Sequence, residues 1–169
     1  MKTLRLCMGI AAAILFALCG ATVLAEGELS QKSRPALGPD MPGTWEMVYQ
    51  RHGKVPAADS LFFARHQRFQ FTADGRVRNL ASARPFDAVI LSVWEKAPLS
   101  TRYRFAKPGV MNVVRSPRDQ DWIVISVITA DLKKALVPDA PLLKKGDLIL
   151  AYMTPEKRVY MHRYLRRIP

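Results

Sequence analysis

Apolar and polar positions alternate in short runs along this chain, and turn formers separate the runs. Trp45, Met47 and Tyr49 alternate with Glu46, Val48 and Gln50, and Phe69 and Phe71 alternate with Arg68, Gln70 and Thr72. A period of two is that of a strand with one face buried. Asp74-Gly75 then marks a hairpin, because Gly accepts the positive φ of a tight turn, and Arg76 to Leu80 reads as the return strand. Arg102-Tyr103-Arg104-Phe105 alternates, turns at Lys107-Pro108-Gly109 and returns through Val110 to Val114. Trp122 to Ile128 is rich in β-branched residues, and Leu148 to Met153 and Val159 to Leu165 flank a turn at Thr154-Pro155-Glu156-Lys157. These segments predict seven or eight antiparallel strands in succession. That makes the chain all-β, a barrel or a sandwich with at most one or two short helices.

Two stretches depart from the period of two. Phe86, Val89, Ile90, Val93, Trp94 and Ala97 fall at helical spacing, with Pro85 and Asp87 suited to a helix start. The Val and Ile content of Ala88 to Trp94 equally fits a strand, and strand is the narrowly preferred reading. Asp131 to Leu136 predicts one helical turn before Pro138 stops it.

The amino terminus reads as an address. Lys2 and Arg5 precede 20 uncharged residues, Leu6 to Ala25, and Val23-Leu24-Ala25 carries small residues where a signal peptidase reads. The expectation is a signal peptide over 1–25 and a periplasmic or secreted protein. The same residues are compatible with a retained anchor or with lipidation at Cys19, although Phe16-Ala17-Leu18 fits lipidation poorly. Residues 26–40 are polar and rich in turn formers and are expected to form a mobile tail ahead of one domain over 41–169.

Composition sharpens this reading. The 169 residues hold 26 Lys and Arg against 14 Asp and Glu, a formal charge of +12. Loss of 1–25 removes Lys2 and Arg5 and no acid, leaving 24 basic residues against 14 acidic ones, or +10. It also removes Cys7 and Cys19, the two cysteines, so the exported domain holds together without disulfides. No second apolar stretch is long enough for a membrane span.

The start Gly43-Thr44-Trp45 resembles the Gly-X-Trp signature of lipocalins and the wider calycin group. The Phe69-X-Phe71-X-X-Asp74-Gly75 hairpin and Gly146-Asp147-Leu148-Ile149-Leu150 are similar to bacterial lipocalin-like domains. The resemblance implies an up-and-down barrel of about eight strands whose Trp45 closes one end. It also implies a basic residue of the last strand over that ring, here Arg163 first and Arg166 second. Alternation agrees, because Val159, Met161, Arg163 and Leu165 share one face and three of them are apolar. Gly43, Trp45 and Arg163 are thus the expected closure residues. A Thr-Asp-Tyr block common in lipocalins is absent.

The sequence offers little catalytic chemistry. It has no Gly-X-Ser-X-Gly elbow, no phosphate-cradling loop and no His-Glu-X-X-His pair. His52, His66 and His162 are too far apart in sequence for a local metal site, and no catalytic residue, metal or cofactor is expected. Two functions remain. In the first, the barrel holds a small apolar or amphipathic ligand against the inner aromatics Tyr49, Phe69, Phe71, Tyr103 and Trp122. In the second, a filled barrel contacts an acidic envelope protein or an anionic surface through its basic exterior, with Arg102, Arg104, Lys144 and Lys145 as candidates. Export argues against nucleic acid as the partner. Interior volume separates the two readings, because a ligand site needs roughly 300–1,000 Å³.

Overall fold

The computed structural model describes residues 23–52, 63–117, 119–154 and 156–169. The leader expected over 1–25 lies outside the described residues up to residue 22. Helix α1 (Val23–Gln31) leads into a short strand β1 (Ser33–Pro35). Strands β2 (Gly43–His52), β3 (His66–Phe71) and β4 (Arg76–Ser82) follow, then helix α2 (Ala88–Lys96). Strands β5 (Thr101–Lys107), β6 (Val110–Ser116), β7 (Asp119–Ile128), β8 (Leu148–Met153) and β9 (Val159–Ile168) complete the chain.

Strands β2 to β9 pair antiparallel in sequence order, and β9 returns to pair β2. The result is a closed eight-stranded up-and-down barrel, with β1 added on the outside edge of β7. Closure removes the unpaired edges that an open sheet must protect. The β4–β5 seam is the thinnest, with two register pairs, Arg76↔Arg102 and Val77↔Thr101. Above it the chain leaves the sheet to form α2.

Alternation fills the barrel. Trp45, Met47, Phe69, Phe71, Tyr103, Met111, Ile123, Ile125, Leu150 and Leu165 form one buried cluster inside. A second cluster lies on the outer face of β8, β9 and β2. There Ile149 and Tyr164 are covered by Leu132 and Leu143 of the β7–β8 connection and by Leu29 of α1. The helical turn expected over Asp131 to Leu136 is absent, and that stretch runs in bends whose Leu132 packs onto this face.

The segment 26–40, expected as a mobile tail, is packed instead. Ala36 is fully buried, donates its backbone N–H to the Ile125 carbonyl and accepts from Gly109 N–H. Gly109 has φ of +73°, and a Cβ there would come within 2.9 Å of the Pro35 Cβ. Arg34 donates to both Asp40 carboxylate oxygens at 2.7 and 2.6 Å, and this pair holds the Asp40 carboxyl below its ordinary range. Glu28 accepts from Lys32 Nζ and from Lys133 N–H, which ties α1 to the β7–β8 connection. Polar composition concealed these contacts because charged side chains that pair within the fold read in sequence like those of a solvated tail.

The 86–97 stretch resolves as helix rather than strand. Asp87 caps α2 by accepting from Ile90 N–H at 2.8 Å. Trp94 is buried against the Arg78 guanidinium, 4.9 Å from its ring. Arg78 in turn donates to the Glu95 and Ala97 carbonyls at the helix end. Capping and one anchoring face outweigh the strand preference of Val and Ile.

Barrel closure also differs in its residue. Trp45 is paired in register with Arg167, whose guanidinium lies 5.1 Å from the ring centre, and Arg163 is not its partner. Trp45 Nε1 donates to the Met41 carbonyl at 2.8 Å. Gly43 has φ of +137°, and a Cβ would meet Arg167 Nε and Nη2 at 3.0 Å, so the glycine makes room for the arginine. Met161, Arg163 and Leu165 do point inward. Arg163 shares the face of Arg167 but sits two inward positions deeper. Arg166 faces outward and pairs with the buried Asp147 at 2.7 Å.

Candidate functional site

The interior changes character halfway up. Below, towards Trp45, it is apolar; above, a polar network crosses it. A β-bulge in β2 between Met47 and Tyr49 resets the alternation, so Gln50 and not Tyr49 faces inward opposite Arg163. Arg163 is 1% exposed. Its Nε donates to Gln50 Oε1 at 3.0 Å and its Nη1 to the Tyr152 hydroxyl at 2.9 Å. Its plane also lies 4.8 Å from the Tyr152 ring and 5.7 Å from the Phe69 ring. Gln67, fully buried, donates to the Ala64 carbonyl, and Gln50 donates to the Phe63 carbonyl. A buried guanidinium is tolerable only with such partners. Burial raises the Tyr152 phenol pKa, while the Arg163 charge pulls it the other way.

A cavity of about 80 Å³ adjoins this network, bounded by Phe69, Met111, Leu150, Tyr152, Arg163 and the Arg115–Asp121 ion pair at 2.7 Å. That space is well below the roughly 300–1,000 Å³ of a site for a drug-sized ligand, and it suits a few waters.

The expected ligand residues separate on this frame. Phe69 and Phe71 border the cavity. Tyr103 is buried against Phe71, with ring centres 5.2 Å apart, and its hydroxyl donates to the Thr72 carbonyl. Tyr49 faces out and packs against Tyr164 in the outer cluster, with the ring centres 5.1 Å apart and the planes tilted by 32°. Trp122 also faces out and is 44% exposed. In β7 the odd-numbered Ile123, Ile125 and Val127 turn inward, which fixes the even-numbered Trp122 on the other face.

The basic exterior divides into separate groups. Arg102 and Arg104 are exposed on β5, and Arg102 is the register partner of Arg76 on β4. Asp74 offsets part of this charge, at 3.0 Å from Arg76. Lys144 and Lys145 stand exposed in the turn before β8, where their backbone N–H groups donate to Asp147 and Asp131. Two strands separate β5 from β8, so the four candidates do not make one patch. The histidines do not converge either. His66 lies near Phe86 and His52 near Phe63, while His162 pairs in register with Arg51.

Sequence reasoning missed Gln50 and Gln67; alternation with Phe69 and Phe71 places Gln67 on the inward face, whereas the bulge in β2 hides Gln50. It also missed the solvent-facing side of α2, where Val89 is 72% and Val93 is 66% exposed. Comparison with protein-family models, with curated proteins and with solved structures returned no match.

Proposed function

We propose that this protein is an exported interaction module: a barrel filled by its own side chains that presents a basic exterior to an anionic partner in the cell envelope. The observation that carries this reading is the interior. Among the described residues, Arg163, Tyr152 and the apolar cluster are buried inside the barrel, and the cavity beside them holds about 80 Å³, which supports a filled interior. A formal charge of +12, or +10 without the leader, supplies the attraction. The test is binding to a sulfated polysaccharide and to phosphatidylglycerol vesicles over a salt series. The expected result is binding at low salt that weakens as salt screens the charges, and that falls for Arg102→Glu/Arg104→Glu. No binding at low salt to either polyanion overturns the reading.

A second reading rests on the polar lining of the same cavity, together with the lipocalin-like sequence features. A compact acidic ligand there would meet the guanidinium groups of Arg163 and Arg115 beside the Asp121 carboxylate. Native mass spectrometry of the protein from its own host would find such a compound bound; bare protein at the mass of the chain counts against it.

A further inference from the structure

We propose that α2 and the arginines beside it dock this protein on an anionic lipid bilayer, with Val89 and Val93 entering the headgroup region. The proposal rests on the basic-exterior reading and names its partner. Val89 and Val93 are one turn apart on α2, and no other large hydrophobic side chain among the described residues is as exposed. Single exposed valines need no explanation, but two on one helix face, on a helix anchored through Trp94 on the other, form a surface. The holding face is well defined. Phe86 lies under the Arg68 guanidinium at 5.4 Å, Trp94 is buried against Arg78, and Asp87 caps the first turn.

Cations surround this helix. Lys96 follows Val93 on the same side, and Arg84 precedes the helix, both exposed. Arg78 bonds the helix end, Arg76 shares its face of β4, and Arg76 leads across the seam to Arg102 and then Arg104. The carboxylates in this region are Asp74, which pairs with Arg76, Glu46, which pairs with Arg68, Asp87 at the helix cap and Glu95 on the helix. Basic residues are thus in excess around a small apolar tip. That combination suits a lipid surface, where charge draws the protein in and a few apolar side chains enter the interface. Two valines fall short of the well-packed core that a protein partner of standard size requires.

The experiment places an environment-sensitive fluorophore on one cysteine. Cys7→Ser and Cys19→Ser leave the introduced thiol alone whether or not the leader is retained. Val93→Cys carries the probe at α2, and Lys144→Cys carries it on the far side of the barrel. Phosphatidylglycerol-containing vesicles are compared with phosphatidylcholine vesicles. The expected result is a blue shift at position 93 on anionic vesicles only, with none at position 144. Val89→Ser/Val93→Ser should weaken vesicle binding by about fivefold, as lost apolar burial demands, with an unchanged melting temperature. Arg102→Glu/Arg104→Glu should weaken it further. Vesicle binding without a shift at position 93, or unaffected by the valine replacements, overturns the α2 surface but leaves the basic exterior in place. Failure to bind vesicles while binding the sulfated polysaccharide overturns the bilayer as partner. Failure to bind either overturns the underlying reading as well.

Discussion

Arg167 lies across the indole of Trp45, its register partner, and fills the space that Gly43 leaves open by lacking a side chain. This is the point where the last strand meets the first and the barrel closes. The indole is 2% exposed and bonded through Nε1 to Met41, so it anchors the closed end from both sides.

Trp45→Ala should destabilise the domain by about 3–5 kcal/mol, the range for deleting a buried aromatic. Arg167→Ala should cost only about 0.5–1 kcal/mol, because this guanidinium is exposed. Gly43→Ala should cost more than Arg167→Ala, since it adds a positive-φ strain to a contact at 3.0 Å. Urea denaturation measures all three. A near-neutral Trp45→Ala would remove the indole from the core.

Arg163 makes the opposite case, a charge held inside. Arg163→Ala removes a charged donor from the Tyr152 hydroxyl and from Gln50 Oε1, which keeps the longer bond from Gln67 Nε2 at 3.4 Å, and leaves a void, so the loss should be about 1–3 kcal/mol in all. Arg163→Met fills the void with an apolar chain and should recover part of the loss, as buried charges often can be replaced by packing. If both variants unfold at the same denaturant concentration as the parent, the network contributes nothing to stability.

Much of the barrel was legible because strand alternation repeats a simple physical demand, one face in and one face out. The Asp74-Gly75 hairpin and the inward face of β9 followed from it. Tyr49 did not, because a bulge is a one-residue insertion that leaves no mark in a hydrophobic pattern. Trp122 was misplaced for a related reason. In β7 apolar residues occupy both faces, so alternation has no contrast to read. Arg163 and Arg167 share a face, and periodicity cannot say which of two same-parity arginines reaches Trp45; depth along the strand decides that, and only the β2–β9 register sets it. The 80 Å³ cavity beside Arg163 was not legible at all, since volume depends on how side chains from neighbouring strands meet.

His162 gives the fold a pH dependence. Burial, and then the nearby Arg51 charge, lower its pKa below the ordinary 6.5. The unfolded chain therefore binds this proton first. Stability is at its full value above about pH 6.5 and is lost as pH falls through the lowered folded pKa. A second loss follows below the ordinary 3.8 of Asp40, whose pKa the Arg34 pair also lowers. His162→Gln should flatten the melting temperature between pH 7 and 5 and leave the more acidic loss unchanged. A parent protein with constant stability across that range would remove His162 from its buried setting.

The turn before β8 separates two kinds of charge within four residues. Lys144 and Lys145 project into solvent, and what holds the turn is their backbone N–H groups bonding to Asp147 and Asp131. Reversal of both, Lys144→Glu/Lys145→Glu, keeps those backbone bonds. It should leave the melting temperature within a few degrees, since exposed substitutions usually change stability by about 0.5 kcal/mol or less. Asp147 is the contrast. It is 3% exposed, accepts the Lys144 N–H and takes two bonds from Arg166, at 3.1 and 2.7 Å. Asp147→Ala removes the acceptor for all of these at once and should cost about 1–3 kcal/mol, in the range for hydrogen bonds to a charged group. Asp147→Asn keeps an acceptor but loses the charge opposite Arg166, so it should fall between the two. Thermal melts at pH 7 order the three variants. Should the double reversal prove as damaging as Asp147→Ala, the lysine side chains themselves support the fold, and they leave the list of residues available to an anionic partner.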